Sequence, residues 1–403
     1  MNDKVVITGM GIVSSLGLTA AETWDALLSG KCGILPIADF DVSGFGCKSA
    51  AQVHGLNPSE LGVHPRDARI MDKHSHMLLK CGQDAFREGG MVGLLPEDIG
   101  FFAGMGMVDY KIDDLMPAVL KSLDSHGDLN YDSFYTGAYQ EIFPLWPLSM
   151  LNNISFCQIA INLGIKGENT VFSPHADSGA QAIIEGVNTI LGKKAQAVLA
   201  GGVSEKVSPL STARASWFGA SSPLGEGCGV IALELLSSAK QRGVPYFAAI
   251  TGYACTFGKD ERSNCPTAEA VSNAMEQALA KASLKPSDID LVIAHGDGTD
   301  IGDRNEIEAI HHTFSKCIDK INAYSSKGAL GHMLAGAPAV DVILGAYIIQ
   351  HGIIPAVCNT GSIDKSVKFN LVKEPLKADV KRVLINSFSC EGQCVSLIIE
   401  KIN

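Results

Sequence analysis

Two histidines in glycine-rich segments are the residues of this chain best suited to chemistry. His295 lies in AHGDGTDIGDRNE, residues 294–306, and His332 lies in SSKGALGHMLAGAPA, residues 325–339, which also contains Lys327. A side chain in a loop that follows a rigid strand can project into a cleft. A lone histidine is more often structural than catalytic, but two of them together with Lys327 favour a functional site.

Alternating strands and helices must position these segments. A helix that ends at Gly192 is predicted by apolar residues at helical spacing: Ile183, Ile184, Val187, Ile190 and Leu191. The apolar run AQAVLAGG then predicts a buried strand. Further along, DLVIAH predicts a strand and DRNEIEAIHHTF predicts a helix beyond the glycine-rich loop. This alternation favours mostly parallel sheets covered by helices.

A weak internal repeat indicates that the chain has two related halves. VVITGMGIVSSLG opens the chain, and FAAITGYACTFG recurs at residues 247–258. We expect one half over residues 1–242 and the other over residues 243–403. A segment of about residues 110–150, rich in aromatic and acidic side chains, interrupts the first half and is expected to cover a pocket or a partner.

Composition excludes several classes of protein. The chain has 403 residues, a net charge of −11 and no run rich in Lys and Arg, so nucleic acid and anionic membrane are poor candidates for partners. Its 11 cysteines are scattered and odd in number, which indicates a reducing cytoplasm rather than a disulfide framework. Only Cys390 and Cys394 are close in sequence, and no further ligands complete a zinc set with them. We expect neither a metal nor a cofactor.

Neither a signal peptide nor a membrane span is expected. The opening residues lack the charged, apolar and small-residue regions of a signal peptide. The longest apolar stretch, from Ala335 to Val357, is interrupted by four residues that a membrane span would not favour: Pro338, Asp341, Gln350 and His351. A soluble cytoplasmic protein is the resulting expectation.

The glycines near the start allow two interpretations. Gly9-Met10-Gly11 follows an apolar run and superficially matches a dinucleotide-binding turn, but a third glycine is missing. We prefer a tight turn at the end of a strand.

Several blocks of the sequence resemble those of β-ketoacyl-acyl-carrier-protein synthases, the condensing enzymes of fatty acid and type II polyketide synthesis. The resemblance extends over nearly the whole chain, in matching order and spacing. Besides the opening repeat and both histidine segments, it rests on GIKGEN at 164–169, AVLAGGVSE at 197–205, SSPLGEGCGVIALE at 221–234 and INSFSCEG near the end.

The resemblance implies a thiolase-like fold, a duplicated five-layer αβαβα architecture. It also implies a mechanism in which a cysteine at a helix N-terminus takes an acyl chain as a thioester and two histidines assist decarboxylation of a malonyl thioester. His295 and His332 match the family's histidines. Lys327 matches its supporting lysine, and Glu306 matches the acidic residue that closes the first histidine block.

The chain departs from the family at the nucleophile. The family motif Thr-Ala-Cys-Ala-Thr-Gly falls on residues 174–179, PHADSG, which puts Ala176 in the place of the cysteine. A methyl group cannot form a thioester. Asp177 would oppose thiolate formation and is best explained as a helix cap or first-turn acid. Ser173 or Ser178 would need an adjacent base to replace the thiol and is not favoured.

A second departure lies in the C-terminal gating loop. The family's Asn-Ser-Phe-Gly-Phe-Gly-Gly-Thr-Asn corresponds to residues 386–394, NSFSCEGQC. Phe388 is retained, but Cys390 replaces the gating Phe, and Ser389 and Glu391 replace glycines. These residues would restrict the loop and add a charge beside an apolar tunnel. Because two elements are altered together, we expect the alanine at 176 to be natural rather than engineered.

The sequence is therefore most like a chain length factor, the silent subunit that pairs with an active ketosynthase in a heterodimer and shapes its acyl tunnel in type II polyketide or polyene biosynthesis. Two alternatives stay open: a malonyl-carrier-protein decarboxylase that uses His295 and His332, and an active synthase engineered from Cys to Ala at 176. An aryl polyene pathway is a further expectation. Because this chain and the acyl carrier protein are both acidic, they repel each other, and the carrier protein is expected to dock mainly on the partner.

Overall fold

A computed structural model describes residues 3–109, 112–149, 151–173, 175–217, 222–259, 263–361 and 366–402. Pro174 of the predicted nucleophile segment, Ser221 of the block at 221–234, and residues 110, 111 and 150 of the predicted interruption lie outside these ranges.

The described strands, β1 to β15 in chain order, are Val5–Ser14, Ile34–Pro36, Ser49–Ala51, Ile99–Met105, Asn169–Phe172, Ala197–Val203, Gly227–Leu235, Ala249–Phe257, Leu291–Ile293, Asn322–Tyr324, Ile353–Ile354, Asn370–Leu371, Leu376–Lys377, Arg382–Phe388 and Gln393–Glu400. The described α-helices, α1 to α13, are Ala20–Leu28, Lys73–Glu88, Met116–Lys121, Tyr131–Thr136, Trp146–Ser149, Asn152–Leu163, Ser178–Leu191, Pro209–Trp217, Leu236–Arg242, Ala268–Ala282, Asp300–Thr313, Lys327–Leu330 and Ala337–His351.

One large mixed sheet of 11 strands runs through the described part of the chain, in the order β12-β10-β9-β14-β15-β8-β1-β7-β6-β4-β5. The expectation of mostly parallel sheets is wrong, because β7 and β15 run antiparallel to both of their neighbours and β1 pairs antiparallel with β8. β15 follows β14 through a short loop, whereas the connection from β6 to β7 includes α8; a short loop allows only antiparallel pairing.

The strand pattern repeats on either side of the pairing between β1 and β8. The order β5-β4-β6-β7-β1 on one side has the same pattern of directions as β10-β9-β14-β15-β8 on the other. The two segments of the weak repeat form β1 and β8. The expected boundary near Gly243 falls just after α9 and stays a prediction.

The expected five-layer architecture is confirmed. Helices α7 and α13 form the central layer and pack against both groups of strands, and α2 and α10 cover the outer faces. Because α13 is enclosed over most of its surface, its buried residues are apolar on all sides except for Asp341. The segment Leu334–His351 is long and apolar enough to span a membrane, but 78% of it is buried inside the protein, so it packs as a core helix.

The expectation of a tight turn at Gly9 and Gly11 is wrong, since both residues lie within β1. A Cβ at either position would clash with backbone carbonyls of α2, those of Ala85 and Cys81. The glycines therefore allow α2 to pack directly on the strand.

Candidate active site

The two histidine segments meet at a cavity of about 630 Å³ that opens between the two groups of strands. Its walls include five of the residues identified from the sequence: Ala176, His295, His332, Phe388 and Cys390. Glu306 and Glu391 contact residues that form these walls, and Lys327 lies near enough to His295 and His332 for its charge to act on both rings.

Glu306 fixes the loop that carries His295. Its side chain extends from α11 and accepts hydrogen bonds from the backbone N–H groups of His295 and Gly296, each at 2.8 Å. Asn386 on β14 donates to the same carboxyl group at 3.0 Å and accepts from Ser396 at 2.8 Å. Burial raises the pKa of Glu306, while these donors hold its oxygens in place. The backbone that carries the His295 imidazole is therefore held in a fixed position.

Both imidazoles accept a backbone hydrogen bond at Nδ1. Phe388 N–H donates to His295 and Leu334 N–H donates to His332, each at 3.3 Å. A neutral imidazole that accepts at Nδ1 carries its proton on Nε2. The ring centroids are 5.2 Å apart.

Electrostatics keep both rings neutral. Burial, with the nearby charge of Lys327, lowers the pKa of His332 to about 3, and burial lowers the pKa of His295 well below its ordinary value. Two neutral Nε2–H groups are thus available as hydrogen-bond donors, which suits them to stabilise negative charge on an oxygen atom.

Lys327 forms a buried ion pair with Asp341. The Lys327 Nζ atom lies 3.5 Å from Asp341 Oδ2, and the side chains are only 5% and 1% exposed. Ser326 donates a further hydrogen bond to Asp341 at 2.6 Å. Asp341 belongs to α13 and was noted from the sequence only as an interruption of an apolar stretch. A carboxyl group inside such a stretch was the signal that could have identified it.

Ala176 stands just before α7, at the wall of the cavity. Its carbonyl accepts a hydrogen bond from Ser387 at 2.9 Å. Asp177 occupies the N-cap position, but its side chain makes no capping bond and is instead near Gln181, so the expectation that it caps α7 is wrong. Burial raises its pKa. Its backbone is already helical, which turns the carboxyl group away from the first N–H groups of the helix.

The two serines considered as replacement nucleophiles have other partners. Ser178 donates to the carbonyl of His175 at 2.6 Å, and Ser173 accepts from Asn152 at 3.0 Å. Neither of these contacts supplies a base that could activate the hydroxyl group.

The loop formed by residues 389–392, after Phe388, is held in place by side-chain contacts. Ser389 donates to Gln393 at 2.5 Å, and Glu391 Oε2 lies 3.1 Å from Nε2 of His175, which also lines the cavity. Cys390 faces the cavity, and its burial beside Glu391 raises the pKa of its thiol. The loop therefore closes one side of the cavity and presents a protonated thiol there.

Sequence reasoning missed a charged pair in the cavity wall. Arg214 Nη2 lies 2.6 Å from Glu205 Oε2, and both side chains line the cavity. Glu205 closes the block AVLAGGVSE, so its place at the end of a buried strand was the available signal. Among the described residues, no group of three or more His, Cys, Asp or Glu side chains could hold a metal ion.

Family models match almost the whole chain. The model described as "Beta-ketoacyl synthase, N-terminal domain" matches residues 2–239, and "Beta-ketoacyl synthase, C-terminal domain" matches residues 247–361. The chain belongs to the β-ketoacyl synthase family. Its fold is accordingly the thiolase-like ketosynthase fold.

Curated relatives of this ketosynthase-family chain include 3-oxoacyl-[acyl-carrier-protein] synthase 2 of Coxiella burnetii, 27% identical over 99% of both chains, and that of Synechocystis, 28% identical over 99% of this chain and 98% of the relative. Among solved structures, the ishigamide ketosynthase/chain length factor has a TM-score of 0.86 at 24% identity, with both chains fully covered. A type II polyketide ketosynthase in complex with its acyl-carrier protein has a TM-score of 0.85 at 20% identity, again with both chains fully covered. The structural similarities establish the fold alone.

Proposed function

We propose that this chain is a ketosynthase-like chain length factor, which pairs with an active β-ketoacyl synthase and shapes its acyl tunnel without carrying the acyl chain itself. One observation carries the proposal: the residue at the cavity end of α7, where the resemblance places the nucleophile, is Ala176. A methyl group offers neither a thiol nor a hydroxyl for acyl transfer.

Other nucleophiles around the cavity are poor substitutes. Cys390 lines the wall, but its raised pKa keeps the thiol protonated near neutral pH. The contact between His175 Nε2 and Glu391 Oε2, at 3.1 Å, also holds the loop that would have to move to admit a substrate.

The surface supports pairing with a second chain. Between residues 112 and 151 the protein exposes many large apolar side chains, at 36 to 70% exposure: Ile112, Leu120, Leu123, Leu129, Tyr131, Tyr135, Tyr139, Phe143, Leu145, Leu148 and Leu151. Strand β5 forms one edge of the sheet. An exposed apolar surface and an open sheet edge each suit a stable protein interface, and an active ketosynthase with the same fold is the occupant we propose.

The proposed pathway is a type II polyketide or polyene system, an aryl polyene being one such product. The solved ishigamide protein is described as a ketosynthase/chain length factor, and the similarity in fold makes such a pairing structurally feasible here. The acyl carrier protein would then deliver its thioester to the active partner.

The proposal is tested by purifying the chain alone and together with its active partner. We expect a complex of one copy of each, with condensing activity that needs both chains and that His295→Ala leaves intact. The exposed His126 supplies a matched control in His126→Ala. A stable homodimer whose malonyl-decarboxylating activity is abolished by His295→Ala would contradict the proposal.

A second candidate function is decarboxylation of a malonyl thioester. Two neutral Nε2–H groups favour it, because they could donate to the thioester oxygen as the bond to the carboxylate breaks. The electron pair of that bond would move into the enolate, carbon dioxide would leave, and a proton from water would complete an acetyl thioester. No cysteine is needed for these steps.

The two functions separate on one measurement. If the chain decarboxylates malonyl carrier protein, His295→Ala and His332→Ala each stop carbon dioxide release, whereas a silent subunit releases none before or after the substitution.

The third reading, an engineered loss of the nucleophile, is tested by Ala176→Cys. Full condensing activity of the lone variant would support it. We expect no such activity, because Asp177 and the tied loop around Glu391 remain.

A further inference from the structure

The wall of the histidine cavity has two regions of opposite electrostatic character. In the first region, His295 and His332 are only 5% and 9% exposed, and each ring accepts a backbone hydrogen bond at Nδ1. Both rings line the cavity, and their Nε2–H groups have no hydrogen-bond partner among the described residues. Two buried donors are therefore left for an oxygen atom of a ligand.

The second region lies at the start of helix α11 and presents two carboxyl groups to the same cavity, those of Asp297 and Asp300. Asp297 Oδ1 accepts hydrogen bonds from the backbone N–H and the hydroxyl group of Thr299, each at 2.8 Å. These bonds fix the carboxyl group and leave Oδ2 without a hydrogen-bond partner in the described part of the chain. Because Asp297 follows His295 by two residues, their Cα atoms are at most about 7 Å apart. One small ligand can therefore reach both regions.

The positive charges near this loop do not cancel its carboxylates. Among the described residues that line the cavity, Arg214 is the only Lys or Arg, and it is already paired with Glu205 at 2.6 Å. Lys327 is paired with Asp341. The N-terminus of α11 contributes about half a positive charge, which is less than two carboxylates carry.

The titration of Asp303, in the first turn of α11, reflects the negative charge of this region. Burial and the neighbouring carboxyl groups of Asp297 and Glu306 raise the pKa of Asp303 to about 7, and Lys327 opposes this shift more weakly. A positively charged group is therefore favoured beside this loop, and a negatively charged group is disfavoured.

We propose that the cavity binds an acyl group that carries a protonated amine, with Asp297 as the residue that sets this specificity. The thioester oxygen of such a ligand would accept hydrogen bonds from the two imidazoles, and its ammonium group would lie against Asp297. The carboxylate of a malonyl group would instead be repelled, which counts against the second candidate function. The inference rests on the proposed function in one respect, because pantetheine thioesters are taken as the ligands that reach this cavity.

The test compares unreactive analogues of acyl-pantetheine in which nitrogen replaces the thioester sulfur. Their acyl groups are β-alanyl, acetoacetyl and malonyl, which are similar in size but are positively charged, neutral and negatively charged near neutral pH. Dissociation constants are measured by calorimetry on the purified chain or its complex. For the wild type we expect the β-alanyl compound to bind most tightly and the malonyl compound most weakly, with about tenfold between successive compounds.

Variants of Asp297 separate its charge from its hydrogen bonds. Asp297→Asn keeps an acceptor for Thr299 but removes the charge, so the differences between successive compounds should shrink to about threefold or less, while binding of the acetoacetyl compound is unchanged. Asp297→Glu restores the charge and should restore the order of affinities. The exposed Asp132 supplies a matched control in Asp132→Asn, which should bind all three compounds as the wild type does.

Equal binding of the malonyl and β-alanyl compounds by the wild type would overturn the proposal, and so would a failure of all three compounds to bind. An unchanged set of affinities in Asp297→Asn would also overturn it. Assembly with the active ketosynthase is measured separately, by the mass of the complex. An intact complex without the charge preference would contradict this inference and support the proposed function, whereas the charge preference without a complex would do the reverse.

Discussion

The ion pair of Lys327 and Asp341 gives a prediction whose size follows from its burial. Lys327→Met leaves the Asp341 carboxylate, 1% exposed, with a hydrogen bond from the hydroxyl of Ser326 but without its cationic partner. Removing one partner of a buried pair costs about 3–5 kcal/mol, because the other charge stays desolvated. The double variant Lys327→Met with Asp341→Asn removes both charges and keeps an acceptor for Ser326, so it should lie within about 2 kcal/mol of the wild type.

The cost of the single variant should depend on pH in a defined direction. Burial already raises the pKa of Asp341, and Lys327 opposes that shift. Without the lysine the folded state binds a proton to Asp341 more readily than the unfolded state does, so stability falls as pH rises through the raised pKa. Lys327→Met should therefore lower the free energy of unfolding by less near about pH 5 than near about pH 8.

Urea unfolding of the purified chain, or of its complex, measures both effects. Asp379→Asn removes the exposed ion pairs with Lys381 and Lys401 and should change stability by at most about 1 kcal/mol. The reasoning is refuted if Lys327→Met costs less than about 1 kcal/mol at high pH, or if the double variant is no more stable than the single one.

Three further predictions follow from the site and the strands. The pKa of His332 is about 3 in the folded state, against about 6.5 in the unfolded state. The free energy of unfolding should therefore fall as the pH drops from about 6.5 to about 3. His332→Gln should reduce the slope of this free energy against pH by about 1.4 kcal/mol per pH unit. Glu391→Gln weakens the half-exposed contact of Glu391 with His175 and should change stability by less than about 1 kcal/mol, while amide exchange in its loop becomes faster. Gly11→Ala should abolish soluble expression, whereas Gly46→Ala, with open space around the added methyl group, should be neutral.

Each of these has an outcome that counts against it. An unchanged pH slope in His332→Gln would mean that the ring is protonated or solvated in the folded state. Unaltered exchange after Glu391→Gln would show that other contacts hold the loop. Normal expression of Gly11→Ala would mean that α2 can move away from β1.

Much of the fold followed from the sequence, because duplication and the alternation of strands and helices are encoded locally. The helix that ends at Gly192 and the strand after it are present as α7 and β6, since the helix has apolar residues at helical spacing and the strand is a continuous apolar run. The mixed directions of the sheet were not predicted. The place of β7 depends on pairing between distant segments, which no local pattern records.

The candidate site, too, was predicted from the sequence only in part. Glycine-rich segments and the resemblance identified His295 and His332, and the structure brings them to one cavity. Their tautomers depend on the N–H groups of Phe388 and Leu334, which are backbone donors and therefore invisible in the residue types. Arg214 escaped notice for a related reason, because its partner Glu205 is defined only once β6 and α8 are packed together.

The central claim, that this chain does not carry the acyl group, is tested most directly by intact-protein mass measurement. The complex with the active ketosynthase is incubated with acyl carrier protein charged with an acyl chain, and the mass of each subunit is then measured. The account predicts an acyl adduct on the partner and none on this chain, whereas Ala176→Cys tests whether a thiol at that position can accept one. An acyl adduct on the unmodified chain would contradict the account.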